Sequence, residues 1–228
     1  PVWNVSTEGD DVAGTGSEET PFKSIQAAIN FCLQEDSISV FSGTFQESII
    51  LTGKNVKIVG AGPEQTIIDG NMLDRVVTIE NSDSYFSGFT ITGGSSINYG
   101  NGMNLTNSNS TIKNCKFINN NDGHLGINAT HNAKIINCSF LEQYESVHPI
   151  YVDNSMKGAD FINCLVNADG IGNAFGSNGY PSLMNCTVFN YSDIAYNASG
   201  VGDATIINSI FLPANGYPSA TVAMQSNI

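Results

Sequence analysis

Positive charge is scarce in this chain. Of 228 residues only 8 are Lys or Arg, and Arg75 is the sole arginine, against 21 Asp and Glu, for a formal net charge of −13. A nucleic-acid surface needs a basic footprint to neutralise phosphates, so this composition excludes that class of partner. The same shortage weighs against tight capture of a polyanion unless metal ions bridge. Long apolar runs are also missing: no stretch approaches the ~18 residues that a membrane-spanning helix requires. No signal peptide opens the chain, as expected of a mature secreted protein starting at Pro1. Charged residues of both signs make up 13%, which leaves Asn, Ser, Thr and Gly to supply the polar surface.

What the chain does have is a repeat. Five segments read almost alike: Thr111–Phe117, Lys134–Phe140, Asp160–Val166, Ser182–Val188 and Thr205–Phe211. A weaker copy is Tyr85–Ile91. The asparagines fall at 114, 137, 163, 185 and 208, in steps of 23, 26, 22 and 23 residues. A period in the low twenties with strand-like units points to a solenoid. The residue two before each Asn is apolar (Ile112, Ile135, Phe161, Leu183, Ile206), and so is the residue three after it (Phe117, Phe140, Val166, Val188, Phe211). The period-2 phase therefore slips by one at Asn. Such a slip turns later side chains over unless the backbone bends there, and Asn tolerates the left-handed conformation that a bend needs. Each copy is thus expected to be strand, corner, strand, with an asparagine ladder at the corner. Cys115, Cys138, Cys164 and Cys186 follow it and should form a row of buried free thiols. A disulfide between neighbours or a zinc site is the alternative.

These repeats resemble the right-handed parallel β-helix of the pectin-lyase-like superfamily. The head of the chain carries the resemblance too, in Val5–Asp11, Pro21–Ile29, Gly43–Ile49 and Thr66–Asn71. The resemblance implies an all-β, single-stranded solenoid of about eight to nine coils closed by an N-terminal helix. It does not imply one function, because the superfamily holds lyases, hydrolases, esterases, epimerases and non-catalytic adhesins.

Residues 1–20 read as an irregular acidic segment, in which Asp10, Asp11, Glu18 and Glu19 could hold calcium. Thr20 and Pro21 are a helix start, and Phe22, Ile25, Ile29 and Leu33 share one helical face, so residues 21–33 are expected to cap the first coil. Residues 37–228 form the coils of a single domain. Met103–Thr106, Ile127–Thr130, Ile150–Asp153 and Ile194–Asn197 align as the first strand of successive coils. The last such strand, Thr221–Met224, has no cap after it. This leads us to expect a piece of a longer protein, or an end that associates with a second copy.

Function in solenoids sits in loops that interrupt the repeat. Three of them, residues 119–125, 142–148 and 167–179, gather Asp122, His124, Glu145, His148 and Asp169. Tyr151, Asp153, Asn128, Thr130 and His131 lie nearby in the repeat frame. Together they are expected to line one groove about three coils tall. Asp153 with Asp169 or Glu145 could act as acid and base on a glycosidic bond, and His148 or His124 could bind a metal. The resemblance implies that a lyase would need a Lys or Arg base near calcium-binding acids, and no such set matches here. The leading expectation is therefore an extracellular, non-catalytic module, adhesive or glycan-contacting, with a polysaccharide or cell-surface glycan as partner. Two alternatives stand beside it: a carbohydrate-active enzyme using the acidic loops, and a self-stacking fibre subunit.

Overall fold

The computed structural model describes residues 1–96, 100–128, 132–141, 148–153, 159–168, 173–177, 181–191, 196–198, 205–214 and 222–224. Among them the strands form three sheets of nine, eight and eight strands, and every pairing is parallel. The chain visits the sheets in rotation, one strand each per turn. The first sheet runs from Val2–Val5 to Ile206–Ile207 and the second from Gly43–Gln46 to Ile210–Pro213. The third runs from Ile49–Thr52 through Val77–Glu80, Met103–Thr106, Leu125–Asn128, Ile150–Asp153 and Phe175–Ser177 to Val222–Met224. About six turns are flanked by a neighbour on both sides, slightly fewer than the eight to nine coils expected.

The corner predicted from the phase slip is present. Asn114, Asn137, Asn163, Asn185 and Asn208 all have φ between 48° and 54°. Each lies between a strand of the first sheet and one of the second, so the residues at −2 and +3 both face the axis. Ile112, Ile135, Phe161 and Leu183 stack in register on one wall, and Phe117, Phe140, Val166 and Val188 on the other; all are fully buried. The rings of Phe117 and Phe140 lie 4.8 Å apart and 13° from parallel. Burying each large side chain removes it from water at a gain of roughly 1.5–3 kcal/mol, and the register repeats that gain at every turn. Gly88 holds the corner place in the weaker copy with φ 85°, since a Cβ there would meet the Gly60 carbonyl oxygen at 2.7 Å.

The five cysteines are buried and free. Cys138, Cys164 and Cys186 each donate to the carbonyl of Ile112, Ile135 and Phe161, one coil back, at 3.7, 3.3 and 3.4 Å. A weak donor thus finds an acceptor at each rung, and no disulfide or zinc site forms among them.

The capping helix is shorter than expected, Ile25–Phe31 rather than 21–33. Phe22 instead bridges to Val5 as a strand residue, with its N–H donating to the Asn4 carbonyl at 3.0 Å. Ser24, not Thr20, is the N-cap: its Oγ accepts from Ala27 N at 3.1 Å. The Glu47 carboxylate takes the next two free amides, Ile25 N at 2.8 Å and Gln26 N at 3.0 Å. A side chain from the first coil therefore decides where the helix begins. Ile25, Ala28 and Ile29 close the end of the core.

Candidate functional site

The three loops of interest all enter the third sheet, so that sheet positions the site. Its outward residues fall into two rows. One row reads Ile50, Thr78, Asn104, Gly126, Tyr151, Gly176. The other reads Thr52, Glu80, Thr106 and Asn128, with Asp153 next in backbone register. Rungs in such rows are ~4.8 Å apart.

The register corrects one expectation. The strand aligned on Ile127–Thr130 is Leu125–Asn128, two residues earlier, so Asn128 pairs with Thr106 and not with Asn104. It still reaches Asn104 diagonally: Asn128 Nδ2 donates to Asn104 Oδ1 at 2.9 Å, and Asn104 Nδ2 donates to Thr106 Oγ1 at 2.7 Å. Sequence alignment missed Gly126 for the same reason. Likewise the strand expected at Ile194–Asn197 is Tyr196–Ala198.

Tyr151 is half-buried in the middle of the first row, with a glycine on either side. His148 comes from the loop just before this strand. Its ring is 6.5 Å from that of Tyr151 and 15° from parallel. The imidazole occupies the space where a Cβ on Gly176 would stand. Its Nδ1 lies 3.2 Å from the Asn173 carbonyl oxygen, which it engages as donor. Burial lowers the His148 pKa, and the Asn173 carbonyl offsets part of that shift; at neutral pH the ring is uncharged. The result is a pair of near-parallel rings on the outer face, with the Asn128, Asn104 and Thr106 chain beside it.

A glycine also governs the margin of this face. Gly100 has φ 76°, and a Cβ on it would strike the backbone of Gly126. Its carbonyl accepts from Arg75 Nε at 3.0 Å. The single arginine is thus engaged with the loop lying along this edge, and burial lowers its pKa.

His124 belongs to the interior and not to the groove. It is fully buried between coils, its ring 6.5 and 6.3 Å from those of Phe117 and Phe140. Asn120 Nδ2 donates to His124 Nδ1 at 3.2 Å, and the same Nδ2 reaches the Ile91 carbonyl at 3.1 Å. That leaves Nε2 as the protonated nitrogen, with no hydrogen-bond partner. Burial lowers its pKa to about 3 against a partial offset from the Leu141 backbone. Asp122 sits in a left-handed turn at φ 47°, half-buried, and its carbonyl accepts from Gly100 N at 3.2 Å. Asp153 is placed by its strand register beside Asn128. Thr130, His131, Glu145 and Asp169 lie outside the described residues.

The N-terminal acids act as backbone anchors. Asp10 Oδ1 accepts from Val12 N at 2.7 Å and Ala13 N at 2.9 Å, which lowers its pKa. Asp11 Oδ1 accepts from Lys23 N at 2.7 Å and Ser24 N at 2.9 Å. A cleft of about 530 Å³ lies between Asp11, Lys23, Thr44 and Glu47. Its two carboxylates are committed to the helix start, and burial raises the pKa of Glu47. No cluster of three or more His, Cys, Asp or Glu side chains suited to a metal occurs among the described residues.

No family model and no curated protein matches the chain. Solved structures do. A pectate lyase, Pel9A, superposes with a TM-score of 0.66 at 17% identity over 91% of this chain. The pectin methylesterase PemA from Erwinia chrysanthemi gives 0.63 at 14% over 91%, and a rhamnogalacturonan lyase 0.56 at 14% over 92%. The fold is the right-handed parallel β-helix that these structures share. This β-helix spans 62% of the length of the pectate lyase, 78% of the methylesterase and 72% of the rhamnogalacturonan lyase. Identities this low carry the fold of the β-helix and not the reaction. No helix among the described residues is long and apolar enough to cross a membrane.

Proposed function

We propose that this β-helix is an extracellular carbohydrate-active protein that engages a polysaccharide along the outer face of its third sheet. The observation that supports it is the ring pair of Tyr151 and His148 between two glycine rungs. Aromatic faces take the C–H side of sugar rings. The amide and hydroxyl groups of Asn128 and Thr106 suit sugar hydroxyls. The structural neighbours include proteins named for pectin chemistry, which favours a polysaccharide-acting role over a purely structural one. Asp153 stands two residues after Tyr151 on the same strand and is the carboxylate we assign to chemistry on a bound sugar.

Incubation with a panel of polysaccharides tests this. Release of reducing ends or of unsaturated products, abolished in Asp153→Asn, is the expected outcome. A second reading, a non-catalytic glycan-contacting module, is favoured by the spacing of the row. Glu80 is three rungs from Asp153, ~14 Å at strand spacing, beyond the ~5–10 Å of a working carboxylate pair. Binding without turnover on every polymer in the panel would decide for that reading.

A further inference from the structure

The charge around this face says which kind of polysaccharide it takes. Seven of the eight cationic side chains lie within described residues; Lys157 does not. Lys54 Nζ donates to the carbonyls of Ile29 and Cys32, both at 2.8 Å, at the end of the capping helix. Lys57 lies 5.7 Å over the Tyr85 ring on the first sheet, where Lys113 and Lys134 also point outward. Lys116 on the second sheet meets Glu64 at 3.4 Å, and Lys23 lines the cap cleft. Arg75 precedes the third-sheet strand Val77–Glu80 by two residues, and its Nε is bonded to the Gly100 carbonyl. None of the seven stands in either outward row of the third sheet. Those rows carry Ile50 and Thr, Asn, Tyr and Gly residues with the acid Glu80, and Asp153 follows in backbone register.

A polyuronate brings one carboxylate per sugar. Placing it here would bring like charges together on a chain of net charge −13, with no fixed cation in the rows to offset them. A neutral sugar chain has no such cost, and ring stacking with amide hydrogen bonds is sufficient to hold it. We infer, on the premise that this face binds polysaccharide at all, that its ligand is an uncharged glycan and not a polyuronate.

Affinity electrophoresis and calorimetry with soluble neutral polymers (xyloglucan, arabinoxylan, mixed-linkage β-glucan, galactomannan) against polygalacturonate and alginate test this. Each is run at low and high salt, with calcium and with a chelator. The expected result is binding to at least one neutral polymer that is insensitive to salt and chelator, and at least tenfold weaker binding to both polyuronates. Tyr151→Ala should weaken the neutral complex about tenfold, whereas Tyr151→Phe, which keeps the ring, should not. Tighter binding to a polyuronate than to every neutral polymer, with calcium or without it, overturns this inference and leaves the polysaccharide-binding face standing. Loss of such binding in Arg75→Gln would then assign the carboxylate contact to Arg75. Absence of binding to every polymer defeats the function proposed above and this inference with it.

Discussion

Asn137 is hydrogen-bonded on both sides by its own repeat. Its Nδ2 donates to Asn114 Oδ1 at 3.2 Å, and its Oδ1 accepts from Asn163 Nδ2 at 3.2 Å. The same residue holds a backbone at φ 52°. One residue type thus meets two demands, a left-handed corner and a bond to the coil on either side.

Asn137→Ala should therefore lose both. The left-handed backbone costs a Cβ-bearing residue about 1 kcal/mol, and two exposed hydrogen bonds contribute about 0.5–1.5 kcal/mol each. Thermal unfolding should show a fall of several degrees. Asn137→Gly, which relieves the backbone but not the lost bonds, should recover part of it. Equal falls in the two variants would show that backbone strain plays no part.

His124 links stability to pH. In the unfolded chain it takes up a proton near pH 6.5. Buried between Phe117 and Phe140 it does so only at about 3. Between those values the unfolded state holds more protons, so stability rises with pH across the window and falls as acid is added. The full contribution is on the order of 5 kcal/mol. Denaturant unfolding from pH 3 to 7 should give a steeper curve for the natural protein than for His124→Gln. Parallel curves would mean that the imidazole is solvated.

Gly176 is a position where a single methyl group reports on the site. Its Cβ would occupy the space of the His148 imidazole. Gly176→Ala should push that ring away from Tyr151, weakening glycan binding several-fold while leaving the melting temperature within a few degrees. The movable ring, not backbone, has to give way, which is why the effect on folding is small.

The thiol row should be silent until the protein unfolds. Burial, followed by the neighbouring thiol of Cys115, pushes Cys138 up, whereas the neighbouring Cys164 lowers Cys186 to about 7, so the silence of the row rests on the burial of its sulfurs. Titration with an aromatic disulfide reagent should find no reactive group in the native state and all five after denaturation. Fast labelling of one native thiol would place it at an opening in the stack.

The repeat made most of this architecture legible. Asn114 to Asn208 at near-constant spacing, with apolar residues at −2 and +3, specify a corner and two inward strands by local stereochemistry alone, and stacking follows because each coil buries its neighbour's apolar wall. Ser24 displaced Thr20 as helix start because Glu47, from another part of the chain, reaches the free amides. The loop that carries His124 interrupts the repeat and so points to a groove residue, but the turn folds its ring inward against Phe117 and Phe140. The strand at Leu125 could not be placed within two residues, since Gly126 gives no alternation signal. The sequence by itself determined the coil, its corner and its core, which depend on side-chain period and backbone preference. Which side chains meet on the outer face was decided only by the tertiary structure, because Tyr151, His148 and Gly176 are brought together by register between coils, a relation that no local pattern encodes.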